Sequence, residues 1–467
     1  MSITGSVYHL MSTQSLFQQV TDLATAYQQR RDNMPVFPRI TPEQLRQALG
    51  ARTPLPEQGQ DASEVISDLV RNAEPGIVSS TGPRYFGYVI GGSLPVATAA
   101  DWLTSVWDQN AGLYSASPAA SVVEEAAAGW LLDLLGLPAT ASVGFVTGCG
   151  MANFTGLAAA RHHVLRQAGW DVELDGLNGA PPINVIVGEE AHVTVFTALR
   201  MLGMGTRSAK RVPADGQGRM VPAELARTLK YCSGPTIVCA QAGNVNTGAF
   251  DPLQPIADAV GEKAAWLHVD SAFGLWAAAS EELKHLVAGA ERADSWATDG
   301  HKWLNVPYDS GFVMCAHPEA HRAAMTVTAA YLIQSDKERD PLEWTPEFSR
   351  RARGFTVYAA LKHLGRRGVR EMVEGCCARA RQMAELLRKH PAVEILNDVV
   401  LNQVLVRFHQ SDEETRAVIE RVQQDGACWL SGTTWHGMAA MRVSVSNWST
   451  TERDIEMSAD AILRALA

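Results

Sequence analysis

The sequence predicts an α/β protein: a mostly parallel sheet in a large domain, a small α+β domain after it, and a helical arm before it. Three observations predict this. First, short apolar runs, "VGFVT", "INVIVG", "PTIVCA", "AWLHVD", "SWATD" and "GFVMC", alternate with helical stretches such as "MANFTGLAAARHHVLRQAG" and "AHVTVFTALRMLG". Strands alternating with helices mean crossover connections and parallel pairing. Second, polar residues gather where these runs end, at Asn244, Asp270 and Lys302. In open parallel sheets that is the edge where ligands bind. Third, the order changes after about residue 360, where a helix around "RARQMAELLRKH" precedes "VEIL", "NQVLVRF", the charged helix "DEETRAVIERVQQDG", "MRVSVS" and a last helix to Ala467.

Residues 12–80 read as helical and polar, interrupted near Pro35, Pro38, Pro54 and Pro56. Such an arm buries little by itself and is expected on another domain or subunit. "SPAASVVEEAAAGWLLDLLGLP" reads as an amphipathic helix opened by Pro118 and closed by Gly136 and Pro138. The expected divisions are an N-terminal arm and interface element at 1–83, a large domain at 84–360 and a small domain at 361–467.

A chain of 467 residues with 46% apolar and 19% charged residues fits a well-buried globular protein of more than one domain. Its formal charge of −10 argues against nucleic acid or an anionic membrane as partner. The seven cysteines have no C-x-x-C pair, which predicts free thiols in a reducing compartment and no metal site. No basic start followed by an apolar core opens the sequence, and no apolar run reaches the roughly 18 residues of a membrane span. The expected location is the cytoplasm.

"TDGHKWLNVP", residues 298–307, places Lys302 between aromatic rings at a strand end. Most lysines are solvated surface charges. One buried among apolar groups loses its proton more easily, and a neutral amine can attack a carbonyl and hold it as a Schiff base. Asp270 ends the apolar "AWLHVD", where it reads either as a helix cap or as a carboxylate awaiting a cationic partner. "TGCGMANFTG" places small residues between a strand and a helix, a turn whose amides suit a phosphate. By itself that turn is a weak signal, since tight strand-to-helix turns are often glycine-rich for steric reasons. His192 opens a helix, as a cap, a core residue or a ring able to stack on a planar ligand.

The ordered set "TGCGMAN", "EEAHVT", "GNVNTGAFDP", "LHVDSAFG", "DGHKWLNVPYDSG" and "SRRARGF" resembles the pyridoxal-phosphate-dependent amino-acid decarboxylases related to aromatic-L-amino-acid and glutamate decarboxylases. "MRVSVSNWSTTERDI" fits as well, so the resemblance spans roughly residues 60–460. It implies a fold type I enzyme with a seven-stranded, mostly parallel sheet and pyridoxal 5'-phosphate as cofactor. Lys302 would be the covalent anchor, Asp270 the partner of the pyridine nitrogen, and His192 and Ala272 the groups on either ring face. Cys149 and Gly150 would receive the phosphate, with Asp299 and His301 contributing to the phosphate and lysine environment and Asn244 to the cofactor site. Tyr331, on a polar loop from Leu332 to Trp344, matches a catalytic tyrosine that returns a proton to the α-carbon. Decarboxylation would run through external aldimine and quinonoid intermediates to an amine and carbon dioxide.

Two departures stand out. Gly243-Asn244-Val245-Asn246 replaces a threonine-bearing turn, and Cys149 and Gly150 stand where small or hydroxyl residues are commoner. Expected pocket residues are Tyr85, Phe86, Tyr88, Tyr114, Ser349 and Arg350. The aromatic members favour an aromatic L-amino acid; the arginines of "SRRAR" either read an acidic side chain or support structure. A decarboxylation-coupled aldehyde synthase is a rival that Tyr331 argues against. An aminotransferase or desulfurase fits the H-K-W context less well, and a binding scaffold would need Lys302 inert. The resemblance also implies a homodimer with shared active sites, residues 85–115 of one subunit reaching the other's cofactor.

Overall fold

The computed structural model describes residues 13–327 and 337–466. Its centre is a sheet of seven strands: β1 (Ser142–Val146), β2 (Asn184–Gly188), β3 (Lys210–Val212), β4 (Thr236–Gln241), β5 (Trp266–Asp270), β6 (Ser295–Asp299) and β7 (Gly311–Cys315). They lie in the order β1-β7-β6-β5-β4-β2-β3. Pairing is parallel from β6 through β5, β4 and β2 to β3, and β7 runs antiparallel to both β1 and β6. The six apolar runs read from the sequence are six of these strands; the three-residue β3 is too short and too charged to register as one.

Both faces of the sheet are covered, so its strands are apolar throughout rather than alternating. Ile186 and Val238 face one core with Leu131, Ile256 and Val357, while Val185, Val187 and Ile237 face the other with Leu157 and Ala160 of the helix Cys149–Gln167. β1 is an edge strand, and an uncovered edge is a pairing hazard. Here Arg350 donates to Phe145 O at 3.1 Å and Arg339 donates to Val143 O. The fully buried Glu124 holds Arg350 through both carboxylate oxygens, at 2.7 and 2.8 Å, with Arg339 3.7 Å away.

The small domain is an antiparallel sheet of β8 (Val393–Ile395), β9 (Gln403–Phe408), β10 (Ser431–Trp435) and β11 (Met438–Ser444), ordered β10-β11-β9-β8. The expected boundary at 360/361 falls inside one long helix, Gly354–Arg388, broken at Gly365. Gly365 has φ 58°, a conformation open to glycine at little cost. The helix crosses between domains further on: Cys377 packs in the large-domain core and Cys376 in the small-domain core. Phe86 is 1% exposed within that second core, so residues just after the expected arm belong with the small domain. In the arm itself, the helices Thr13–Arg31, Pro42–Ala48 and Ala62–Ala73 contain no buried residue.

All seven cysteines are free and buried. Among the described residues no helix is long and apolar enough to cross a membrane. Removing the carboxylate from Glu124 would leave a buried guanidinium uncompensated, a loss of about 3–5 kcal/mol. Glu124→Ala should therefore unfold at markedly lower urea concentration than the parent chain, and an unchanged midpoint would refute this brace.

Candidate active site

The site lies at the carboxyl ends of β5 and β6, where the chain leaves the sheet and turns into short helices. β6 ends at Asp299, and Lys302 sits in the helix Gly300–Trp303 that follows at once. That spacing returns the lysine amine to the carboxylate: Lys302 Nζ lies 2.9 Å from Asp299 Oδ2. The other oxygen, Oδ1, accepts from the Cys149 backbone N–H at 2.6 Å. His301 Nδ1 accepts from Ser310 N–H, so its proton is on Nε2, 3.3 Å from the same Oδ1. Lys302 keeps 20% side-chain exposure, with its amine 5.9 Å from the centre of the Phe273 ring.

The expectation that burial leaves Lys302 easily deprotonated is corrected by these contacts. Burial pulls its pKa down, but the charge and hydrogen bond of Asp299, with Asp270 behind it, push harder, and the net direction is up. The protein alone holds Lys302 as an ammonium. Across the pocket, burial lowers His192 and His301, which are neutral at pH 7.

Asp270 is 3% exposed and accepts from Cys149 Sγ at 3.3 Å, Asn153 Nδ2 at 3.1 Å and Ala272 N at 3.3 Å. All three donors are neutral, and among the described residues no Lys, Arg or His pairs with this carboxylate. A buried charge so placed fits a cation that the protein does not supply. Ala272 bridges the two acids, its carbonyl accepting from Asp299 N–H at 3.0 Å. His192 is the N-cap of the helix Val193–Met201, with Nδ1 accepting from Thr194 N–H at 3.4 Å and 2.8 Å from the Thr194 hydroxyl. Its half-buried ring therefore has a fixed orientation.

At the turn before the helix Cys149–Gln167, Gly150 is exposed in the first helical turn; a Cβ on Gly148 would lie 2.9 Å from His301 Cε1, and one on Gly311 would collide with Gly148 Cα. The Cys149 amide, however, is already taken by Asp299. A phosphate at this turn would meet the neighbouring amides and the helix end instead. Asn244 is 1% exposed, and its Oδ1 accepts from Asn246 N–H at 2.8 Å and Thr247 N–H at 3.2 Å. Its side-chain oxygen closes its own turn rather than facing a ligand.

The expected pocket residues divide. Tyr85 stacks on Trp429 with ring centres 5.1 Å apart, and Tyr88 tilts against the same indole at 5.7 Å. Phe86 is core, as described above, because its backbone pairs with Trp429 and Ser444 and turns the ring inward. Arg350 is committed to Glu124 and to β1, which favours its structural reading. Tyr114 donates its backbone N–H to Asp340 Oδ1 at 2.7 Å, and the exposed Ser349 hydroxyl accepts from Asn110 Nδ2 at 3.4 Å. Tyr331 lies outside the described residues. The polar stretch expected to run as loop to Trp344 is held in its last part, where Pro341–Trp344 forms a 3-10 turn with Pro341, Leu342 and Glu343 buried.

Several residues were not singled out from the sequence. Tyr308 stacks on His301 at 4.3 Å, and burial raises its phenol despite the lowering by Lys302. Arg442 on β11 is 8% exposed and has no carboxylate partner among the described residues; it donates to Val245 O at 3.3 Å and Ser431 Oγ at 3.4 Å, and its Nε has no partner. Burial lowers its pKa to about 10. Asn153 follows Cys149 by one helical turn, a spacing that places both on one face; that was a readable signal.

Residues 42–409 match the family described as the pyridoxal-dependent decarboxylase conserved domain. The chain belongs to the pyridoxal-dependent decarboxylases, and its fold is fold type I. It is 28% identical over 458 residues to an aromatic-L-amino-acid decarboxylase of Bacillus atrophaeus, covering 94% of this chain and 92% of that one. It is 29% identical over 368 residues to an acidic amino acid decarboxylase of Homo sapiens, covering 76% and 68%. Oryza sativa TDC, solved with PLP and tryptamine, superposes with a TM-score of 0.91 at 23% identity, covering 98% and 99%; at that identity the likeness is one of fold. The protein is a pyridoxal-phosphate-dependent amino-acid decarboxylase, a carboxy-lyase, and pyridoxal phosphate is its cofactor.

The buried histidines make stability depend on pH. Burial lowers His268 to about 4 and His321 to about 3. Below the unfolded value of roughly 6.5, the unfolded chain takes up protons that the folded protein refuses. Their contribution is fully present above that value and is lost as pH falls towards 4. The denaturation midpoint should drop across this window, and His268→Gln should flatten the slope; a slope unchanged by that substitution would contradict the assignment.

Proposed function

We propose that this decarboxylase acts on an aromatic L-amino acid, releasing carbon dioxide and the corresponding amine. The observation that carries the substrate choice is a set of rings: Tyr308 stacked on His301 next to Lys302, and Tyr85 and Tyr88 against Trp429. These rings offer flat apolar surface, and offset or edge contacts between rings favour aromatic side chains. The aromatic-L-amino-acid decarboxylase of Bacillus atrophaeus, aligned over nearly the whole chain, supports the same reading.

Pyridoxal phosphate, when bound, supplies an electron sink for the pair left behind as carbon dioxide departs. The chain's own residues do the rest. Lys302 is the amine that anchors the cofactor, and it must first leave its ion pair with Asp299. Asp270 would present a negative charge to the pyridine nitrogen, neutral His192 would offer a ring face to the cofactor, and the helix end at Gly150 would hold the phosphate. Tyr331 delivers the proton that replaces the lost carboxylate at the α-carbon. Burial of Asp270 and Asp299 keeps their charges effective.

Arg442 favours a second reading. A buried guanidinium without an acid partner among the described residues suits a carboxylate, and an acidic substrate of glutamate type would bring one beyond its α-carboxylate, which a diamino substrate of 2,4-diaminobutyrate type would not. The acidic amino acid decarboxylase of Homo sapiens keeps that reading in view. We also propose a homodimer with shared active sites. The arm helices bury nothing within one chain, and Phe17, Val65 and Leu69 stand exposed on them.

A panel of L-amino acids, with carbon dioxide and amine both measured, decides between the substrates. Turnover of tryptophan, tyrosine or dihydroxyphenylalanine without turnover of glutamate, aspartate or cysteine sulfinate supports the aromatic reading, and the reverse refutes it. Lys302→Ala should lose at least about a thousandfold in kcat, and borohydride should no longer fix cofactor to the chain; retained fixation would remove Lys302 from its role. Sedimentation of a fully active monomer would refute the dimer.

A further inference from the structure

Behind Asp270, a line of buried polar groups runs through the sheet with a single sense of donation. It starts at Trp266 on β5. An indole N–H only donates, and here it donates to Ser295 Oγ on β6 at 2.9 Å. The serine hydroxyl then turns its own hydrogen to His268 Nδ1, 2.8 Å away. That leaves the imidazole proton on Nε2, which donates to Asn153 Oδ1 at 2.9 Å. With its oxygen so occupied, Asn153 points its amide nitrogen at Asp270 Oδ2, 3.1 Å away, and at Thr194 Oγ1, 3.2 Å away. The sense is fixed from the carboxylate: Asp270 only accepts, so Asn153 turns its amide nitrogen to it, the Asn153 oxygen takes the His268 Nε2 proton, and Nδ1 is left to accept from Ser295.

The register of β5 makes this possible. Trp266, His268 and Asp270 alternate along the strand and share one face. The helix Cys149–Gln167 lies over that face, and Gly156 lets it approach: a Cβ there would sit 3.0 Å from His268 Cε1. Each member is at most 3% exposed. Any buried polar group needs a partner, and that need accounts for each bond taken singly. It does not account for a line of neutral donors that ends on a buried carboxylate with which no Lys, Arg or His among the described residues pairs. A cationic donor in place of Asn153 would have spent that charge within the protein.

We propose that Asn153 and His268 are positioning residues of the decarboxylase site, holding the Asp270 carboxylate in plane while leaving its charge for the cofactor's pyridine nitrogen. Cys149 completes the arrangement on Oδ1 as a neutral thiol; burial and the nearby acids push its pKa up, so it stays a donor. The proposal rests on the reading of Asp270 as partner of that nitrogen.

The test uses holoenzyme reconstituted with pyridoxal phosphate labelled with nitrogen-15 in the ring. Solid-state NMR then reads the protonation of that nitrogen directly, and cofactor affinity is measured by titrating the apoprotein. Asn153→Ala and His268→Phe should move the ring resonance towards its unprotonated position and weaken cofactor binding roughly tenfold. His268→Gln, whose amide can still donate to Asn153, should stay close to the parent resonance. A parent-like resonance in Asn153→Ala overturns the proposal, including where His268→Phe does not fold, provided that Asp270→Asn displaces the resonance. If Asp270→Asn also leaves it in place, the underlying reading of Asp270 falls, and the positioning role falls with it.

Discussion

The carboxylate of Asp299 is the tie on which the site depends. It ends β6, and three groups from two helices converge on it: the Cys149 amide, the Lys302 amine and the His301 ring. It is 2% exposed, so each contact acts in a medium that screens little. By holding the Cys149 amide it sets where the helix Cys149–Gln167 begins. By holding Lys302 it sets the resting state of the reactive amine. Without that carboxylate, the helix end, the lysine and the imidazole would have no common reference point.

The large domain supplies the chemistry, and the small domain supplies part of the wall. Trp429 and Arg442 both come from the small domain, yet Trp429 pairs with the segment at Tyr85 and Arg442 bonds to Val245 of the large domain. The helix Gly354–Arg388 carries both cores and makes the two parts mechanically continuous. On the proposed reading, substrate choice would depend on an interface between domains, whereas the residues proposed for the cofactor sit on sheet ends packed from both sides.

Much of this was legible in the sequence because it follows from period and position. Apolar runs of strand length gave six of the seven central strands, and Asp270, Asp299 and Lys302 stood where such strands end. What could not be read depends on tertiary contacts between distant residues. Arg350 looks like a pocket residue until Glu124, more than two hundred positions away, is seen to hold it. Asn244 looks like a ligand until its own turn claims its oxygen. Phe86 shares an aromatic segment with Tyr85 and Tyr88, but local backbone pairing sends its ring into the small-domain core. Conversely, Arg442 lies in a strand of ordinary appearance, and its missing partner becomes visible only in three dimensions.

The distribution of charge ties these points together. Two buried acids stand at adjacent strand ends, and the fold treats them differently. Asp299 is paired with Lys302, so its charge is compensated while the lysine remains an ammonium, and that pairing must loosen before the amine can react. Asp270 receives hydrogen bonds from a thiol, an amide and a backbone N–H, which orient it without compensating it. Burying a carboxylate in that manner is costly unless a cation arrives. On the proposed reading of Asp270, a protonated ring nitrogen would recover that cost, and the same desolvation would strengthen the contact. A lysine or arginine behind Asp270 would give a more stable apoprotein with a weaker hold on that nitrogen.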